Sequence, residues 1–189
     1  LWLFHLAYEA NGDDTQANQM LEVIRQFING RRAISDENTI VFVGRAALKL
    51  KAYDPKQVKE NLYDRVLQSD PDTREALLAV GELALAKRDF KLAGRTFTRA
   101  IGYYPEDADL LHGLAKAYAE SDPSQMEEPL HTAMFANPDH VPSLLLQAHN
   151  QADAEQYDAA NGILKAIFKV NPHHAASWAL QAALHTVRN

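Results

Sequence analysis

REALLAVGELALAKRDFKLAGRTFTRAIGYYPED, Arg74–Asp107, is the stretch that decides the fold. Leu77, Val80, Gly81 and Ala84 fall on one stripe at helical spacing, and Ala93, Phe97 and Ala100 form a second stripe before Pro105. Lys87-Arg88-Asp89-Phe90 makes the turn between them, and Pro105 stops the second helix. Two antiparallel helices approach closely only where a side chain is nearly absent. Gly81 and Ala93 supply that gap, and Phe97 fills the space beside it.

Outward from this stretch the closing proline recurs. Pro71, Pro105, Pro138 and Pro172 follow one another at near-equal steps of about 34 residues, each after an amphipathic helical pattern. A period of that length means stacked repeats, an architecture used mostly for binding. The copy Ala108–His140 carries Leu111, Leu114, Ala115 and Tyr118, then Leu130 and Ala133, with one residue missing near Ser121-Asp122-Pro123. Glu128-Pro129 suits a helix start there, because proline's missing N–H costs little in the first turn. The copy Val141–His174 gives Leu144, Ala148, Tyr157 in the turn, Ala160 and Leu164. Trp178 then opens a last, partial copy over 175–189. Toward the start, 40–73 forms a degenerate copy with Val43, Ala47, Leu50, Tyr63 and Val66, turning at Asp54-Pro55. A partial copy over 1–30 turns at Asn11-Gly12-Asp13-Asp14, and the irregular stretch 31–39 between these two is a loop or a helical extension.

These residues resemble the tetratricopeptide repeat, whose pattern is W-x2-L-G-x2-Y, then A-x3-F, a further Ala, and Pro. The resemblance covers nearly all of the chain. It implies an all-α, right-handed superhelical solenoid of antiparallel helix pairs, acting as a protein–protein interaction scaffold. It further implies that the first helix of each copy lines a concave groove through its second, fifth, ninth, twelfth and thirteenth positions. The groove residues so implied are Glu75, Leu78, Glu82, His112, Lys116, Leu145 and His149. Such a surface suits an extended or helical peptide held by apolar anchors and a few polar contacts. Glu82, Lys116 and His149 are equally readable as solvated neighbours paired across adjacent helices. The clamp that holds acidic chaperone tails needs several lysines and an arginine. Only Lys116 offers a fixed positive charge in the central stretch, which argues against that partner.

Composition narrows the remaining classes. The formal charge of −6, from 25 acidic against 19 basic residues, lacks the electrostatic footprint of a nucleic-acid binder. No cysteine occurs, so there is neither a disulfide framework nor a thiolate metal site; this fits the cytosol and leaves an exported chain open. The opening Leu1-Trp2-Leu3-Phe4-His5-Leu6-Ala7-Tyr8 is too short to span a bilayer and reads as part of an amphipathic helix of a longer protein. No zinc-protease, nucleophile-elbow, phosphate-loop or dinucleotide motif is present, so neither catalysis nor a cofactor is expected. His173-His174 is the most conspicuous pair of the eight histidines, but no third ligand lies at a supportive spacing. His112 and His149, in adjacent copies, are expected to approach each other and make binding pH-sensitive. Phe90, Phe97, Tyr118, Tyr157 and Trp178 occupy core positions of the repeat pattern. Two other functions stay open: an accessory region of an enzyme whose catalytic domain lies elsewhere, as in many bacterial arrays, or an oligomerisation spacer that self-associates through apolar, unfinished repeat ends.

Overall fold

The computed structural model describes residues 1–30, 36–51 and 53–188. Among them the chain forms eleven α-helices. These are α1 Trp2–Ala10, α2 Asp14–Asn29, α3 Glu37–Lys49, α4 over 55–69, α5 Arg74–Ala86, α6 Phe90–Tyr103, α7 Ala108–Ser121, α8 Glu127–Ala136, α9 Val141–Asp153, α10 Tyr157–Val170 and α11 Ala175–Arg188. Residues 37–39, left open by the sequence, are helical; 31–35 lie outside the described residues.

Aspartates set many of the helix starts. Asp13, Asp36, Asp54, Asp89 and Asp107 each accept a hydrogen bond from a backbone N–H in the first turn, at 3.1, 2.7, 2.8, 3.0 and 3.0 Å. Each cap satisfies an otherwise orphaned donor, worth about 1 kcal/mol. Two later helices are preceded by histidine, and the His140 side chain bonds no backbone N–H of its helix; the Nδ1 atoms of His140 and His174 lie instead 2.8 Å from the Ser143 and Ser177 hydroxyls. Within most pairs the reversal takes a left-handed residue: Gly12, Lys51, Arg88 and Glu155 have φ of 74°, 53°, 59° and 58°. The pair α7/α8 departs from this. The missing residue and Pro123 produce a 3₁₀ turn, Pro123–Gln125, and α8 spans only 10 residues where α6 and α10 span 14.

The helices pack as hairpins α1/α2, α3/α4, α5/α6, α7/α8 and α9/α10, and α11 lies against α9 and α10. The odd-numbered helices also pack one on the next, from α1 through α11, which puts them on the inner row of a curved stack. Phe97 is fully buried between two glycines. A Cβ at Gly81 would come within 2.4 Å of its ring, and one at Gly113, in the next copy, within 2.3 Å. The sequence reading names Gly81 for this gap; Gly113 completes the slot from the other side. The curve brings distant copies together: the Asn171 Nδ2 donates to the Ala10 carbonyl at 2.7 Å, so the turn after α1 meets the turn before α11.

The aromatic expectation needs one correction. Phe97 is a core residue, and Phe90, Tyr118 and Tyr157 are half-buried, but Trp178 is 53% exposed. Its ring packs on Phe168 with centroids 4.4 Å apart, and its Nε1 donates to the Pro172 carbonyl. Leu180 and Leu184 take the buried face of α11, leaving Trp178 at the margin of that contact.

Candidate functional site

The inner row formed by α3, α5, α7 and α9 carries a chain of charged and polar groups. Arg74, at the start of α5, is held by three carboxylates: Glu75 beside it, Asp107 at the cap of α7, and Asp109 in the first turn of α7, the last at 2.6 Å. Burial opposes the guanidinium charge, yet its hydrogen bonds to Asp107 and Asp109 outweigh this and raise its pKa. Asp109 is shared onward, lying 3.1 Å from the Nε2 of His140. That hydrogen bond, with help from Arg74 and against burial, holds the Asp109 carboxyl well below the usual carboxylate range. One helix back, Arg45 of α3 pairs with Glu82 of α5 at 2.9 Å. The protein packed around Glu82 displaces water and pushes its carboxyl up, although part of the side chain stays in solvent, and Arg45 partly offsets the rise.

The implied groove residues separate by exposure. Glu82, Lys116 and His149 follow one another on α5, α7 and α9, and all three are exposed. Glu75, His112 and Leu145 are half-buried, and Leu78 is buried among Leu77, Phe97, Leu110 and Leu114. Glu82 is paired, as an ion pair across adjacent helices requires; Lys116 is in no ion pair among the described residues. His149 lines a cleft of about 400 Å³ between the 3₁₀ turn and α9, beside Glu127 and Asp153.

The ring packed against His112 is that of His140, edge to face at 5.7 Å, rather than that of His149. His140 reaches it because it immediately precedes α9, a position outside the rows implied by the resemblance. Burial lowers the His112 pKa to about 4, with His140 and Lys116 pushing the same way and Asp109 opposing. The His112 Nδ1 is enclosed and has no hydrogen-bond partner.

Ser143, His140 and Asp109 form a hydrogen-bonded series that looks like a hydrolase relay, but the geometry is structural. Ser143 is fully buried, so its hydroxyl cannot meet a substrate, and the same His–Ser contact recurs one copy later at the start of the next inner helix, between His174 and Ser177. Among the described residues no group of three His, Asp or Glu side chains is arranged to hold a metal ion, and no helix is long and apolar enough to cross a membrane.

The architecture is thus that of an all-α repeat solenoid whose inner helices carry both ion-paired and unpaired polar groups. Comparison with solved structures specifies the fold as that of tetratricopeptide-repeat proteins. A thermophilic tetratricopeptide protein of Thermus thermophilus, TTC0263, superimposes with a TM-score of 0.67 at 18% identity, covering 79% of this chain and 83% of that one. YrrB, described as a tetratricopeptide protein with an unusual peptide-binding site, matches with a TM-score of 0.56 at 16% identity over 89% of this chain and 84% of its own. Human IFIT1, solved as a dimer with PPP-AAAA, matches at 0.65 and 17% identity over 99% of this chain and 46% of its own. No family model and no curated protein sequence matches the chain.

Proposed function

We propose that the chain is a protein-interaction scaffold that holds a peptide or protein segment along its inner row, as one module of a larger protein. Lys116, Glu82 and His149 supply the polar contacts, and the half-buried Leu145 supplies an apolar one. Leu78 shapes the groove from beneath. The observation that carries this reading is Lys116: it is exposed on the inner row, between Glu82 and His149 of the neighbouring inner helices, and is in no ion pair among the described residues, so a carboxylate or carbonyl of a bound segment can meet its charge. The fold likeness to YrrB supports a peptide. The likeness to IFIT1, solved with PPP-AAAA, raises nucleic acid, which the net charge of −6 disfavours.

The test is a pull-down from nuclease-treated source-cell extract with the native chain and with a Glu82→Lys/Lys116→Glu/His149→Glu variant of equal helix content. A partner retained by the native chain and lost by the variant is the expected result. Identical proteins on both, or capture obtained only when the nuclease is left out, overturns it. A second reading has its own observation: Leu1, Leu3 and Phe4 are more than half exposed on and beside α1. If that face drives self-association, light scattering will show mass rising with concentration, and Leu3→Glu/Phe4→Glu will abolish the rise.

A further inference from the structure

The inner row is not the most concentrated charge on the molecule. Between 87 and 99 an acidic protein places Lys87, Arg88, Lys91, Arg95 and Arg99, against the single acid Asp89, which is spent capping α6. On α6, which belongs to the outer row, Lys91, Arg95 and Arg99 recur at every fourth position along one exposed face. Arg99 is tethered to the Pro71 carbonyl at 2.7 Å; Lys91 and Arg95 have no carboxylate at ion-pair distance among the described residues. These three cations form one wall of a cleft of about 720 Å³. The facing wall is the end of α7 and the 3₁₀ turn, where Tyr118 and Asp122 lie. The irregularity of this copy therefore shapes the cleft.

Gly94 lies in the same cleft, in the middle of α6. A Cβ there would meet nothing within 4 Å, unlike those at Gly81 and Gly113, so packing gives no reason for it. A glycine inside a helix costs about 1 kcal/mol relative to alanine. Gly102 and Gly162 also face open space, but Gly94 is the one set between the cations of this cleft, where its missing side chain lets another main chain approach the helix backbone.

We propose that this cleft is a second binding surface, separate from the inner row, which takes a short acidic segment of a partner protein. The segment's carboxylates meet Lys91 and Arg95, and its main chain passes over Gly94. A nucleic acid fits less well: a polyanion is repelled at long range by the net charge of −6 and locally by Asp122, whereas a short acidic segment needs only the local cations.

The experiment is selection of a displayed library of short random peptides on the full chain, followed by titration of the enriched peptides against variants checked for helix content. Enriched peptides should be net acidic and weaken with salt. They should lose about tenfold or more in affinity with Lys91→Glu/Arg95→Glu. Gly94→Leu should weaken the same peptides with no fall in thermal midpoint, and the Glu82→Lys/Lys116→Glu/His149→Glu variant should still bind them, so this surface stands or falls apart from the inner row. The proposal is overturned if no enriched peptide depends on Lys91 and Arg95, or if those that do are not acidic. It is also overturned if Gly94→Leu leaves binding unchanged, or if random single-stranded oligonucleotides bind through these two cations where peptides do not.

Discussion

The pairs α3/α4 and α5/α6 bury an aromatic ring at equivalent places one copy apart, Tyr63 and Phe97, both fully buried, but they do it differently. Phe97 fills a slot between Gly81 and Gly113. Tyr63 lies against Gly44, where a Cβ would come within 2.6 Å of its ring, and its hydroxyl has no hydrogen-bond partner. Burial raises the Tyr63 pKa far above the ordinary phenol value. The helices differ as well. The run from capping aspartate to ring is one position longer in α4, Asp54 to Tyr63, than in α6, Asp89 to Phe97. The π-helical turn Lys59–Tyr63 absorbs the extra residue. A degenerate repeat thus keeps the packing position of its ring by distorting the helix that carries it.

The largest test of this comparison is Phe97→Ala, which should cost about 3–5 kcal/mol because two rigid glycine backbones cannot close around the cavity. Calorimetry should show less for Tyr63→Ala, since that change also removes an unsatisfied hydroxyl; an equal or larger loss at Tyr63 would break the contrast. A pH titration comes next, because His112 is also a buried polar group without a partner at Nδ1, but one that titrates. Its pKa is depressed in the folded chain, so the unfolded chain takes up the proton first. Its contribution is full above about pH 6.5, falls by up to about 1.4 kcal/mol per pH unit on acidification, and levels off below about 4. Urea midpoints of His112→Gln should lack that slope, whereas those of Tyr63→Phe should keep it. Tyr63→Phe itself should raise stability by about 1 kcal/mol, and Phe97→Tyr should lower it, because only the first removes a buried unpaired polar atom. The smallest effect is expected in the turns: Glu155→Gly, at φ 58°, should gain about 0.5 kcal/mol by relieving a left-handed residue, and a loss there would show that the side chain does more than fill the turn.

The repeat itself is legible because closing prolines and small-residue stripes act locally, within one pair. Turn positions at Asp54 and Arg88 follow from the same residues. What stays hidden depends on the next copy. Gly113 completes the Phe97 slot, His140 rather than His149 reaches His112, and Arg74 gathers Asp107 and Asp109 from the following helix. A basic residue opening one copy and an aspartate capping the first helix of the next is the available sign of that last contact. The ranking of groove residues by exposure is not legible either, since Leu78 and Leu145 share a row of the pattern but differ in burial through their neighbours. The cleft beside α6 owes its shape to a departure from the repeat, which a period-based reading discounts.

The hydrogen bond from Asn171 to Ala10 joins the two far ends of the sequence in a molecule otherwise built from neighbouring contacts. In an open stack each terminal unit is held on one side only, so amide protection declines toward both extremities. Here the first pair is also tied on its far side, by this one exposed hydrogen bond. Hydrogen exchange in α1 and α2 should therefore slow through a contact made at the opposite end of the chain, and Asn171→Ala should release those amides before any others.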